Sequence, residues 1–304
     1  MLMQRLKGGY TLIEVMLFLA ISSIIFVMSL IVVQGQEANT EFRTSVDGVN
    51  QKIQQWIDQV ANGLTGSTSD FANKSLSCSA AAVNGSTYPV LSNAPATNQE
   101  RGANPDCIFM GKVIVVTSDP TSSNQIYAIP VVGLRLDPST NDLTSSILNA
   151  NPIAALSIPN SKVDQSVDLS ETYNIPSGTR VVWARSDQSA DCTNPMPSQL
   201  CNNMIGLFTS LNSSGSSSLL TVNYQFNNNI SSLNNSSDRQ QVADCISLQG
   251  ACAFPGGIPT FSVWQLCLQN SRDTTNWALI TIYSTSGNSA STGIQYGKGS
   301  TACS

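Results

Sequence analysis

The chain has 304 residues, of which 11% are charged, with a formal net charge of −5 and a sequence pI of about 4.6. It contains no histidine, which removes Ser-His-Asp and Cys-His nucleophile pairs and deprives zinc of a usual ligand. An acidic chain repels phosphate backbones, and residues 63–304 hold no Lys/Arg cluster to reverse this, so nucleic acid is not an expected partner.

The first element lies in residues 8–33, GGYTLIEVMLFLAISSIIFVMSLIVV. Val15 to Val33 carries no charge, Pro or Gly, and its few hydroxyls can bond back to helix carbonyls. At 1.5 Å per residue it spans roughly 28 Å, close to the ~30 Å hydrocarbon core of a bilayer. Arg5 and Lys7 precede it, which keeps the N-terminus cytoplasmic and sends the rest across. The run is long for a secretory signal peptide, and Gln34-Gly35-Gln36-Glu37 is a poor cleavage site. Glu14 stands at the threshold of this helix, where a lone carboxylate is costly and calls for a partner. The simpler account of Glu14 is a first-turn acid favoured by the helix dipole.

The helix is expected to continue through 34–62, which lacks Pro. Phe42, Val46, Val49, Ile53, Trp56, Ile57 and Val60 recur at three- and four-residue steps, an apolar stripe suited to packing under a globular domain. Asn62-Gly63 supplies a C-terminal stop.

Residues 63–304 change character: Ser, Thr and Asn dominate, and short β-branched runs alternate with turn residues. Strands are predicted at 112–117, 125–136, 180–184, 205–211, 219–226, 261–268 and 277–284. The last two form a C-terminal meander with 294–296. LRLDPSTND over 134–142 reads as a hairpin turn. Its acidic residues have a calcium-loop flavour, but the sixth position is Asp142 and the twelfth Leu148, so a turn is expected. Segments 63–106, 185–203, 212–218 and 227–240 read as loops, and no helical periodicity is sustained beyond 63. The sequons at Asn73, Asn229 and Asn235 carry little weight in so Ser/Asn-rich a chain.

All eight cysteines lie beyond the helix: Cys78, Cys107, Cys192, Cys201, Cys245, Cys252, Cys267 and Cys303. An even count in an exported domain predicts disulfides. Pairing of sequence neighbours is expected, giving Cys78–Cys107, Cys192–Cys201, Cys245–Cys252 and Cys267–Cys303. With no CxxC and no His, no metal site is expected, nor any cofactor. The sequence has no P-loop and no G-x-S-x-G elbow, and an enzyme is not expected.

Lys7-Gly8-Gly9-Tyr10-Thr11-Leu12-Ile13-Glu14 resembles the N-terminal signal of type IV prepilins and pseudopilins. The resemblance covers about the first 35 residues. It implies a leader, 1–9, cut by a prepilin peptidase between Gly9 and Tyr10, and N-methylation of Tyr10. It makes Glu14 the fifth mature residue, paired during assembly with the amine of a neighbouring subunit. Tyr10 stands where Phe is common, and Ile31 where many members carry Pro. Loss of Arg5 and Lys7 with the leader takes the net charge from −5 to −7.

The expected architecture is α+β. A long helix, 10–62, crosses the membrane over 15–33, turns amphipathic, and packs on a disulfide-tied antiparallel β-rich domain, 63–304. The implied role is a minor or large pilin, with possible adhesion or motility. Its implied partners are other pilins, the peptidase, an inner-membrane assembly platform, and membrane lipid before assembly. The implied location is a single-pass membrane protein, N-terminus inside, that later enters an extracellular or periplasmic filament. Alternatives are a pseudopilin of a secretion or DNA-uptake piston, and an unprocessed membrane-anchored binding domain.

Overall fold

A computed structural model describes residues 11–63, 75–83, 86–94, 106–117, 125–144, 146–158, 167–176, 178–186, 203–209, 219–224, 230, 232–247, 263–285, 289–299 and 303. The chain forms two compact units, Met1–Thr44 and Ser45–Ser304. Helix α1, Leu12–Ala61, contributes its beginning to the first unit and its end to the second. The apolar run favours α1 in its first part, and the stripe of buried residues favours it in its last. It stops at the Asn-Gly pair, where Gly63 has φ +65° and donates its N–H to the carbonyl of Val60 at 3.0 Å.

Within the first unit, Leu12–Ser29 is long and apolar enough to cross a membrane, and its side chains are exposed. Ser23 is satisfied inside the helix, its hydroxyl donating to the carbonyl of Leu19 at 2.7 Å.

The second unit is built on antiparallel strands: β1 (Ser75–Val83), β2 (Ser86–Ala94), β3 (Cys107–Val116), β4 (Gln125–Leu134), β5 (Ile153–Ala154), β6 (Glu171–Asn174), β7 (Thr179–Ser186), β8 (Met204–Thr209), β9 (Leu219–Asn223), β10 (Val263–Asn270), β11 (Asn276–Thr285) and β12 (Ser289–Lys298). A second helix, α2 (Ser236–Ile246), lies between β9 and β10. The larger sheet runs β5-β4-β3-β8-β9, with β6 sharing the outer edge of β4. The smaller runs β12-β11-β10-β7, and β1 and β2 pair as a separate hairpin.

The larger sheet is covered on both faces, which is why β3 and β4 are nearly continuous apolar runs rather than alternating ones. One face carries Val113, Val115, Tyr127, Ile129 and Val131 into a core shared with Val242 and Ile246 of α2. The opposite face of β3 carries Lys112, which reaches the end of α1. There Val46, Val49, Ile53, Trp56, Ile57 and Val60 are buried; each such side chain contributes about 1.5–3 kcal/mol. The smaller sheet meets the same helix, since Thr292 of β12 donates to Gln54 at 3.1 Å and Tyr296 donates to Asp47 at 2.9 Å. Register places Thr292 opposite Ile282 and Tyr296 opposite Ala278. The buried residues Trp264, Leu266, Leu268, Ala278, Ile280 and Ile282 therefore occupy the face of this sheet turned to α1.

Two bridges are described: Cys78–Cys107 ties the β1–β2 hairpin to β3, and Cys267–Cys303 ties β10 to the C-terminus. Cys245, a core residue of α2, is also disulfide-bonded. Cys192, Cys201 and Cys252 lie outside the described residues, as do Asn73 and Asn229.

Three expectations need correction. The segment 63–106 holds the β1–β2 hairpin, whose Ser/Ala-rich strands have little intrinsic β-propensity. They are fixed instead by the bridge and by packing of Cys78 and Leu91 on Val132, Ile153 and Val167. The segment 227–240 contains the start of α2, capped by Asn235, whose side chain accepts from the N–H of Ser237 at 3.0 Å. Its apolar residues are confined to its C-terminal end, so no stripe announces it. The short strands β5 and β6 have no counterpart among the predicted strands; they exist through pairing to β4. The turn at 137–142 is present: Asp137 accepts from the N–H and hydroxyl of Ser139 at 2.8 and 2.5 Å, and from the side chain of Asn149 at 2.8 Å.

Gly111 sits where the β3–β4 register shifts, and a Cβ there would lie 2.0 Å from the carbonyl oxygen of Leu207 on β8. Backbone cannot yield as a side chain can. Gly111→Ala is expected to destabilise the fold by about 1–3 kcal/mol, the usual range for overpacking. A lower urea midpoint at unchanged slope is the expected signature. Cys267→Ser with Cys303→Ser is expected to cost about 2–5 kcal/mol in the same assay.

Candidate functional site

Two places concentrate chemistry. The first is the N-terminal end of α1. Thr11 is the N-cap and Glu14 the third helical residue. The N–H of Glu14 donates to the Thr11 hydroxyl at 3.3 Å, and the N–H of Thr11 donates to the Glu14 carboxylate at 3.5 Å. This reciprocal arrangement is a capping box, which satisfies two N–H groups the helix leaves unpaired. Glu14 is exposed, and the large apolar side chains after it are exposed through Met28. The carboxylate thus stands at the head of an apolar rod. Gly9 and Tyr10 lie outside the described residues.

Residues 4–30 match the family described as the prokaryotic N-terminal methylation motif. The chain carries a type IV prepilin-type signal. The motif supports a type IV pilin-like assembled subunit and implies processing by a prepilin peptidase, and the proteins that carry it are structural. Its apolar part coincides with the helix long enough to cross a membrane. No curated protein and no solved structure matches the chain.

The second place is a polar cluster inside the second unit. Lys112 of β3 is fully buried. Its Nζ donates to Glu171 Oε1 of β6 at 2.5 Å and to Gln59 Oε1 of α1 at 2.5 Å. The other carboxylate oxygen of Glu171 accepts from Trp56 Nε1 at 3.0 Å and from Lys52 Nζ at 3.2 Å. Lys52 also lies over the Trp56 ring, 5.3 Å from its centroid. Three residues of α1 spaced at three and four positions, Lys52, Trp56 and Gln59, therefore converge on one ion pair between two strands. Burial pulls the Lys112 pKa down, against hydrogen bonding and charge attraction from Glu171. Burial pushes Glu171 up, but the hydrogen bonds from Lys112, Trp56 and Lys52 and the Lys112 charge outweigh it and hold the carboxyl below its usual range.

Sequence reading does not single out this cluster. Lys112 opens the run KVIVVT and looks like an exposed strand-end charge; the available signal is a lone cation beside an unbroken apolar run. Nothing local distinguishes Glu171. Among the described residues, no group of three or more His, Cys, Asp or Glu is placed to hold a metal ion.

The sign of the pH effect is set by the depressed folded-state pKa of Glu171. Its stabilisation is present above the unfolded carboxyl pKa and is lost as pH falls through the lower folded value. Glu171→Gln is expected to cost about 3–5 kcal/mol at neutral pH, since it strands the Lys112 cation in the interior. The difference from wild type should shrink on acidification, as measured by urea unfolding across the acid range.

Proposed function

We propose that the protein is a structural subunit of a type IV pilus-like filament. The observation that carries this reading is the methylation motif running directly into an exposed apolar helix headed by one carboxylate. In this reading the leader, 1–9, is removed at Gly9–Tyr10 and Tyr10 is N-methylated. The new amine is cationic at neutral pH. Inserted among other such helices, it sits beside Glu14 of a neighbouring subunit, and the pair neutralises two charges that are costly in an apolar bundle. A misplaced subunit leaves Glu14 unpaired, so the contact sets register. The β-rich domain, 63–304, is carried on the filament surface or tip, with adhesion or motility as its role.

The capping box allows the two roles of Glu14 to be separated. Gln serves in a capping box as Glu does, but carries no charge. Glu14→Gln is expected to retain helix and processing yet fail to enter filaments, scored by sheared-filament fractions against whole-cell protein. Normal incorporation of Glu14→Gln would reduce Glu14 to a cap. Intact mass and N-terminal sequencing of chain co-expressed with an active prepilin peptidase should give a start at methylated Tyr10. A chain still beginning at Met1 would sink the filament reading and leave a membrane-anchored binding domain. A processed chain confined to a short periplasmic fibre would favour the pseudopilin role.

A further inference from the structure

The polar cluster does more than neutralise charge: it brings a primary amine, a carboxamide and a carboxyl group together in a buried setting. Lys112 Nζ lies 2.5 Å from the carboxamide oxygen of Gln59 and 2.5 Å from Glu171 Oε1. The carboxamide carbon is one C=O bond, about 1.23 Å, beyond that oxygen, so Nζ is within about 3.7 Å of it. Near-attack geometry needs about 3–3.5 Å, a shift within the swing of one lysine side chain. We propose that Lys112 and Gln59 join through an isopeptide bond, with Glu171 as the proton carrier, covalently tying α1 to β3.

The step balances without any further reactant. Glu171 takes a proton from the Lys112 ammonium, and the freed lone pair attacks Cδ of Gln59. The tetrahedral intermediate collapses by breaking the Cδ–Nε2 bond. The departing nitrogen collects protons from Glu171 and from the attacking nitrogen and leaves as ammonium. Lys112 Nζ ends as an amide N–H bonded to Cδ, and Glu171 returns to a carboxylate. Nothing is oxidised or reduced.

Three observations support the assignment. Burial favours the uncharged amine that the attack needs, and the Lys112 pKa is lowered for this reason. Lys112 is fully shielded from solvent, so bulk water does not compete at the reacting nitrogen. The remaining contacts fit the product as well as the reactants: once the Lys112 charge is gone, Glu171 Oε2 still accepts from Trp56 at 3.0 Å and Lys52 at 3.2 Å. The carboxylate is therefore not stranded by the reaction it serves.

The test is mass spectrometry of the folded full-length chain after reduction and alkylation of its disulfides. Wild type is expected to be lighter by one ammonia. Tryptic digestion should give a branched peptide joining the Gln59 and Lys112 segments, with no cleavage after Lys112. Glu171→Ala and Gln59→Met should each restore the full mass and cleavage at Lys112. Gln59→Met keeps the side-chain length and leaves the ion pair in place, so it guards against a variant that merely fails to fold. Folded wild type with its full mass and a freely cleaved Lys112 overturns the proposal. So does a branched peptide that persists in Glu171→Ala at the wild-type rate, since Glu171 then carries no proton. The filament reading is untouched by either result.

Discussion

The second unit is organised around a lysine that has no access to water. Lys112 stands in the middle of a doubly covered sheet, where an unpaired ammonium would be costly by several kcal/mol. Its charge is met by Glu171 from another strand and by Gln59 from the helix. The fold can tolerate Lys112 only with β6 at the edge of β4 and with α1 in one register along the sheet. A one-turn slide of the helix would remove Lys52, Trp56 and Gln59 together from the pair. An apolar contact surface would not discriminate between such positions so sharply, because burial is non-directional.

That constraint explains the arrangement of the two sheets. The same stretch of helix that meets Lys112 and Glu171 also offers Asp47 and Gln54 to β12. The sheets are further linked where Thr221 of β9 donates to Ser284 of β11 at 3.0 Å. The end of α1 is therefore a shared element on which both sheets lean. Bridges and the α2 core secure the rest: Cys78–Cys107 holds the hairpin, Cys267–Cys303 the C-terminus, and Arg239 ties α2 to Asp168 and to the carbonyl of Ser157.

The start of the same helix answers to a different solvent. Large apolar side chains from Leu12 to Met28 are exposed all round it, and the sole carboxylate of that stretch, Glu14, heads it beside a threonine cap. The methylation motif over residues 4–30 gives that composition its meaning. A bilayer and a bundle of like helices could each accept such a rod, since both are apolar, and a carboxylate at its head is costly in either unless it is paired.

How much can be read from the chain depends on the range of the forces involved. The N-terminal signal, the apolar rod, the buried stripe from Val46 to Val60 and the Asn-Gly stop are local patterns, each legible over a few residues. The strongest strands, β3, β4, β8, β10 and β11, are visible as short β-branched, aromatic and aliphatic runs between turn residues. The β1–β2 hairpin, β6 and α2 are not, since each is held by a partner distant in sequence rather than by its own propensity. The cluster of Gln59, Lys112 and Glu171 is the extreme case. Gln59 and Glu171 stand 112 residues apart in the chain, with Lys112 between them, and none is unusual among its own neighbours. Sequence by itself determined the long helix, its membrane-compatible half and the antiparallel β character of residues 63–304. Only the tertiary structure decided which charges are buried and which groups meet, because a buried ion pair is defined by the solvent it has lost and not by the residues beside it.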